Sequence, residues 1–560
     1  MDPKQEILSL LKKEGITNVE LDIPKVKEHG DYTLPCFQLS KDIKKNPIEI
    51  AKELARKLKP TKLIKEIKEI GPYLNFFVDK QEFANSLIKG ILKEKADYGK
   101  GKARKEKAMV EYSQPNTHKG FHIGHLRNVC LGDSLVRIMR FNGFPVIAAN
   151  YINDTGAHVA KCVWYYLKYH KDQEPKENKG EWLGRLYTDA IKKLAQNPEL
   201  KDEAEETHRK IEAKDKELIK VWEKTRQWSM DSFNEIYKTL GVKFDEWFYD
   251  NELAEPGKRF VNDLLKKKIA EESEGAVIVN LEKYGLGVAL VLKSDGSTLY
   301  LTKDFALAEK KFKERRIDRS IYVVAAEQRL HFQQLFKILE LYGFKQAKKC
   351  FHLSYELVML KEGKMSSRAG NIVLFSELLN MMKEKLKHEV GSRHKDWSEK
   401  QKKTAIDKIA LAAMKFIMLN QENNKVITFD PEKALDFEGE TGPYIQYSHA
   451  RICSIIKKYN KELKKAFNSG ALKTEEEERL ITVLSDFSQV IGLAAESYKP
   501  HLMARYLFDL ARAFNEFYHA CPILTATESV KIARLNLILA VQQVLKNGLE
   551  LLGIEAPEEM

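Results

Sequence analysis

At 560 residues the chain exceeds what one hydrophobic core holds, so three or four domains are expected. Hydrophobic residues at 43% and charged residues at 31% suit a folded globular protein, and no run of about eighteen apolar residues offers a membrane span. Lys and Arg outnumber Asp and Glu by 94 to 81, a net charge of +13, with both signs interspersed, so any polyanion surface must be local.

The first segment, MDPKQEILSLLKKEG, carries charges through its apolar positions and lacks the apolar core of a signal peptide; the expected location is the cytoplasm. Residues 1–103 alternate helical patterns such as IEIAKELARKLK (48–59) with a strand, YLNFFV (73–78), and read as a small α/β domain. YGKGKARKEKA (98–108) is a linker. AMVEYS (108–113) is a buried strand, Gly124 to Phe141 a helix, and FPVIAANYI (144–152) a second strand, which together make a βαβ unit and require a parallel sheet. A charged helical insertion is expected near 171–250. Strand patterns resume at AVIVNL, VALVL and TLYLT within 276–306, then SIYVVAAEQ (320–328) with a helix at 331–343, then CFHLSYELVML (350–360) as one strand. The expected architecture is a Rossmann-like doubly wound sheet over 104–375, a connecting stem over 376–436, and an all-α bundle over 437–560.

Residues 117–128 read THKGFHIGHLRN. His118, His122 and His125 invite a metal, but Gly120 leaves His118 in a turn outside the helix, and no cysteine or nearby carboxylate completes a ligand set. The six cysteines stand singly, without a C-x-x-C pair. No metal site is assigned. The cluster lies between a strand end and a helix start, where doubly wound sheets bind ligands and helix N–H groups attract anions. Gly124 gives a nucleotide room to approach the backbone, and His122 and His125 then face phosphate oxygens. Core packing is the alternative for either histidine alone. KEGKMSSRAGN (361–371), far along the chain, places cations and hydroxyls between two glycines, as a phosphate-closing loop requires.

With HIGH as His122-Ile123-Gly124-His125, and Lys364-Met365-Ser366-Ser367-Arg368 as a variant of KMSKS, the chain resembles the class I aminoacyl-tRNA synthetases, and within them the arginyl-tRNA synthetase family. VEYSQPNTHKGFHIGHLRN, NYINDTGAHVAK, SDGSTLYLTKDFALA, YVVAAEQRLHFQQLF and FEGETGPYIQYSHARI carry the resemblance over nearly the whole chain, with GDYTLPCFQLSK and IGPYLNFF similar to the family's extra N-terminal domain. The resemblance implies a ligase that uses ATP with Mg2+ to form arginyl-adenylate. It then transfers arginine to the 3′-terminal adenosine of arginine tRNA, on the 2′-hydroxyl. Lys119, three residues before HIGH, is implied to replace the lysine missing from the second signature. Also implied are His122, His125, Lys119 and Lys364 as catalytic groups, with Gly124, Met365 and Ser366 joining them at ATP. Tyr300, Asp304 and Gln328 are implied around the guanidinium, and Glu111, Ser113 and Asn116 at the amino-acid end. The i,i+4 spacing of Tyr300 and Asp304 puts both on one side of a helix capped by Thr302. For tRNA the candidates are Asn75 at the elbow and Tyr444 and Tyr518 at the anticodon. Most rings of YLFDLARAFNEFYHACPIL (506–524) are expected in the bundle core. The expected partners are arginine and arginine tRNA, with no membrane, and the expected state is a monomer. Rival readings are a shorter nucleotidyltransferase, which leaves the helical C-terminus unexplained, and an inactive scaffold, which the intact signatures oppose.

Overall fold

AMVE at Ala108–Glu111 (β1) is buried at all four positions, as befits a strand covered on both faces. It is the centre of a parallel sheet with Val146–Ile152 (β2), Glu246–Tyr249 (β3), Arg319–Ala325 (β4) and Cys350–Tyr355 (β5). The computed structural model describes residues 3–171, 173–361, 373–462 and 467–560, and among these the spatial order is β5-β4-β1-β2-β3. The order reverses between β1 and β4, which opens a crevice at their C-terminal ends. Helices Ile123–Phe141 (α1), Lys216–Leu240 (α2), Tyr300–Arg315 (α3) and Arg329–Tyr342 (α4) surround the sheet.

Three expectations change. The insertion starts earlier and ends earlier: its helices are Ala157–Tyr169, Lys179–Gln196, Lys201–Glu212 and α2, and EWFY at 246–249 is a sheet strand. As an edge strand it buries only Phe248, so it lacks the apolar run that marks an interior strand. TLYLT does not form a strand; α3 begins at Tyr300. Thr302 is not the cap but the third helical residue, and its hydroxyl accepts from the Leu299 N–H at 2.9 Å and donates to the Val291 carbonyl. CFHLSYELVML splits, because Val358–Leu360 leaves β5 to pair in parallel with Ile427–Phe429. At the break, the Glu356 and Leu357 carbonyls accept from the Arg127 guanidinium of α1.

The N-terminal unit is an antiparallel sheet in the order Tyr32–Pro35, Tyr73–Val78, Ile64–Ile70, with a core of its own around Ile7, Leu34, Leu54 and Phe76. The helices after residue 375 do not stand apart in this way. Leu131 and Leu135 of α1 share one continuous core with Leu419, Phe487 and Leu545. No helix among the described residues is long and apolar enough to cross a membrane.

Candidate active site

At the start of α1 the two signature histidines cap the helix for each other. His122 is the N-cap residue; its Nδ1 accepts from the Gly124 N–H at 3.1 Å, and His125 Nδ1 accepts from the His122 N–H at 3.2 Å. Burial, with Lys119 nearby, holds the His122 imidazole down at about 4. Burial, then His122 and Lys119, push His125 well below its ordinary value. Both rings are therefore neutral at neutral pH, and since each Nδ1 accepts, each proton sits on Nε2. The ring centroids are 3.9 Å apart. The result is two N–H donors side by side at a helix N-terminus. Gly124 also has a local reason: a Cβ there would lie 2.9 Å from the His122 ring, so glycine lets that ring fold back onto the helix.

The turn before the pair is pinned to the insertion. His118 has φ +61° and no exposure; its amide donates to Ser229 Oγ at 3.0 Å, and its ring nitrogens meet Thr117 Oγ1 at 3.0 Å and Thr225 Oγ1 at 2.8 Å. This histidine, without a role in the sequence reading, fastens the signature turn to α2. Next to it, the Lys119 ammonium lies 5.1 Å from the centre of the Tyr187 ring, and burial together with Lys161 lowers its proton affinity. Lys364, Met365 and Ser366 lie outside the described residues.

The amino-acid candidates divide into a floor and a rim. Glu111 and Ser113 are the floor, each 2% exposed, and their side chains are engaged. Glu111 pairs with the fully buried Lys311 at 2.5 Å and accepts from Gln114 Nε2 at 3.0 Å. Ser113 Oγ meets Tyr237 OH at 2.7 Å, while its amide donates to Asn128 Oδ1 at 2.5 Å. Both side chains are therefore engaged within the protein. Tyr300, Asn116, Asp304 and Gln328 form the rim. Asn153 Nδ2 donates to both Asn116 Oδ1 (2.6 Å) and Tyr300 OH (2.9 Å), joining two predicted residues through one that was not singled out. Its own Oδ1 is buried with no donor. The signal was present in NDTG, directly after β2. Asp304 accepts from His331 Nε2 at 2.6 Å, and Gln328 is exposed where β4 gives way to α4.

Of the nucleic-acid candidates, Asn75 sits in the central strand of the N-terminal sheet and is only 2% exposed, so its side chain is not offered to solvent. Tyr73 on the same strand is 41% exposed, edge-on to the exposed Phe37 at 5.8 Å, and was missed. Tyr444 OH accepts from Asn515 Nδ2 at 2.9 Å inside the bundle. Tyr506, Phe514 and Phe517 are buried, while Tyr518 is open and lines a groove of about 1070 Å³ with Trp397, Tyr447, Arg451, Lys457 and Lys458. The Arg451 guanidinium lies over the Tyr518 ring at 4.9 Å.

A switch-point crevice with paired histidines at a helix N-terminus defines the core of a class I aminoacyl-tRNA synthetase, and the family described as tRNA synthetases class I (R), catalytic domain, matches residues 87–430. The Arginyl tRNA synthetase N terminal domain matches 4–78 and the DALR anticodon binding domain 445–560. The chain is 39% identical to the arginine–tRNA ligase of Bdellovibrio bacteriovorus, covering 96% of this chain and 93% of that one. It is 37% identical to that of Clostridioides difficile, covering 100% and 98%. The structure of Thermus thermophilus arginyl-tRNA synthetase superposes with a TM-score of 0.83 at 28% identity, over 100% and 99% of the two chains. The chain belongs to the arginyl-tRNA synthetase family.

Proposed function

We propose that the chain activates arginine with ATP and transfers it to the 3′-terminal adenosine of arginine tRNA, with the chemistry at the C-terminal ends of β1, β2 and β4. The observation that carries the site assignment is the His122–His125 pair, whose Nε2–H groups are the donors a phosphate needs. An arginine carboxylate oxygen attacks the α-phosphorus of ATP; that P–O bond forms as the bond to pyrophosphate breaks. The carboxylate is already a nucleophile, so no base is needed, and positioning with charge stabilisation supplies the catalysis. His122, His125 and Lys119 face the developing phosphate charge. The tRNA 2′-hydroxyl then attacks the adenylate carbonyl, its proton is lost, and AMP leaves.

Tyr300, Asp304 and Gln328 take the guanidinium, and the unpaired Asn153 Oδ1 is an acceptor that a buried ligand donor would satisfy. Glu111 and Ser113 hold the floor beneath. No group of three or more His, Cys, Asp or Glu side chains among the described residues is arranged to hold a metal. Mg2+ would come in on the ATP phosphates, and no step is assigned to it. The groove around Arg451 and Tyr518 supplies stacking faces and cations for anticodon bases, and Tyr73 with Phe37 supplies a platform at the elbow. Domain limits of 1–103, 104–375, 376–436 and 437–560, a cytoplasmic location and action as a monomer belong to the same proposal, since one chain carries the site and both tRNA surfaces. ATP–pyrophosphate exchange, run with each amino acid with and without tRNA, tests it. Exchange is expected with arginine alone among them, and exchange driven by another amino acid overturns the specificity.

A further inference from the structure

Just past the end of β1 the chain turns on residues that lack glycine's freedom. Ser113 has φ +77° and Gln114 φ +43°, both in the left-handed region that residues with a side chain rarely occupy. Pro115 follows, and a residue before proline is pushed toward extended backbone at negative φ, which adds to the cost at Gln114. Such a turn persists only where its surroundings hold it.

Here two asparagines hold it, one at each amide. The Ser113 N–H donates to Asn128 Oδ1 at 2.5 Å, and the Gln114 N–H to Asn150 Oδ1 at 3.1 Å. Asn128 comes from α1 and Asn150 from β2, and they are 4% and 0% exposed. Each is fixed in turn at its amide nitrogen. Asn128 Nδ2 donates to the Val323 carbonyl of β4 at 2.8 Å and to Gln114 Oε1 at 3.2 Å, while Asn150 Nδ2 donates to Tyr237 OH at 3.0 Å. Beyond the turn the chain crosses to the end of β2. The Asn153 N–H donates to the Pro115 carbonyl at 3.3 Å and the Thr117 N–H to the Asn153 carbonyl at 3.1 Å, which sets Asn116 against Asn153 and Tyr300.

Glycine would make this turn without steric cost, but it would leave the chain free to adopt others. Ser113 and Gln114 under a clamp on each amide keep one conformation. We infer that Asn128 and Asn150 are positioning residues that preorganise the arginine site: by holding the turn left-handed they fix Asn116 at the rim. The inference rests on the reading of Asn116 as a contact for the amino-acid end of arginine. Its effect falls on arginine rather than on ATP, because the histidine pair is held separately. Those rings cap α1 through bonds within its own first turn, and His118 ties the preceding turn to α2.

ATP–pyrophosphate exchange by the full chain, with arginine tRNA present, tests this. N128A and N150A should each raise the arginine KM about tenfold and leave the ATP KM within about twofold. A second substitution separates backbone from side chain. S113G and S113A remove the same hydroxyl, but only glycine lowers the cost of positive φ. In the N128A background the glycine variant should have an arginine KM about fivefold below the alanine variant. Q114G and Q114A compare in the same way in N150A, and serve alone if N128A does not fold. An unchanged arginine KM in the single variants, an equal rise in ATP KM, equal arginine KM for the glycine and alanine variants, or failure of both N128A and N150A to fold overturns the inference. N116A separates the two readings. A wild-type arginine KM in N116A removes Asn116 from the site, whereas a raised KM there with no glycine–alanine difference sinks the clamp alone.

Discussion

His122 shows how a short motif encodes more than its letters. The sequence points to a histidine pair at a helix start, but which nitrogen carries each proton follows only from the backbone N–H groups that each Nδ1 accepts. Gly124→Ala should therefore disturb the His122 ring, whose atoms a Cβ would approach to 2.9 Å, more than it obstructs nucleotide entry. We expect ATP–pyrophosphate exchange to slow about tenfold or more with little change in ATP KM, measured by steady-state kinetics. His118 carries a pH prediction. Burial holds it at about 3 against an ordinary value of 6.5, so between those values the unfolded chain holds a proton that the folded chain excludes. Its contribution is fully present above 6.5 and is lost as pH falls toward 3, at up to about 1.4 kcal/mol per unit. In His118→Gln, the urea midpoint should depend less steeply on pH across that window. Glu111 and Ser113 mark the limit of motif reading: family likeness puts them at the site, and only burial and bonding show that they face inward.

Among elements, strands covered on both faces were legible and edges were not. β1, β2 and β4 are apolar runs, whereas β3 leaves three of its four residues only half-buried and hid inside the insertion. TLYLT alternates like a strand, yet the Thr302 hydroxyl serves the Leu299 N–H and turns the chain into a helix. The split of β5 from Val358–Leu360 was illegible because its cause is distant in sequence. Arg127, with no exposure, donates to the carbonyls of Glu356, Leu357, Glu422 and Asn423, tying the signature helix to the segment that leads toward KEGKMSSR and to the turn after helix Glu399–Leu419. Burial lowers its proton affinity to about 10, so it remains charged at neutral pH. Arg127→Met strips four main-chain carbonyls of their donor and leaves the space of a buried guanidinium to a thioether. We expect a loss of about 3–5 kcal/mol in urea unfolding.

At the scale of the whole molecule, a net charge of +13 predicts nothing about place, and the structure supplies the place: Lys457 and Lys458 line the groove with Arg451 and Tyr518. Reversing both lysines to Glu should weaken tRNA binding and flatten its salt dependence by about one log–log unit per lysine, read by filter binding at several salt concentrations. Arginine binding in the same variant should be unchanged. The sequence also suggested a chain of separable units, and here the cores disagree with one another. The N-terminal sheet keeps its own core, while α1 and the C-terminal helices share one, and the buried Lys415 ammonium joins the Leu240 carbonyl at 2.6 Å to that of Gly553. The N-terminal sheet could be removed without opening that shared core. The last part is built like a keel into a hull: exchanging the bundle would open the core along α1, whereas changes confined to the groove surface would leave it closed.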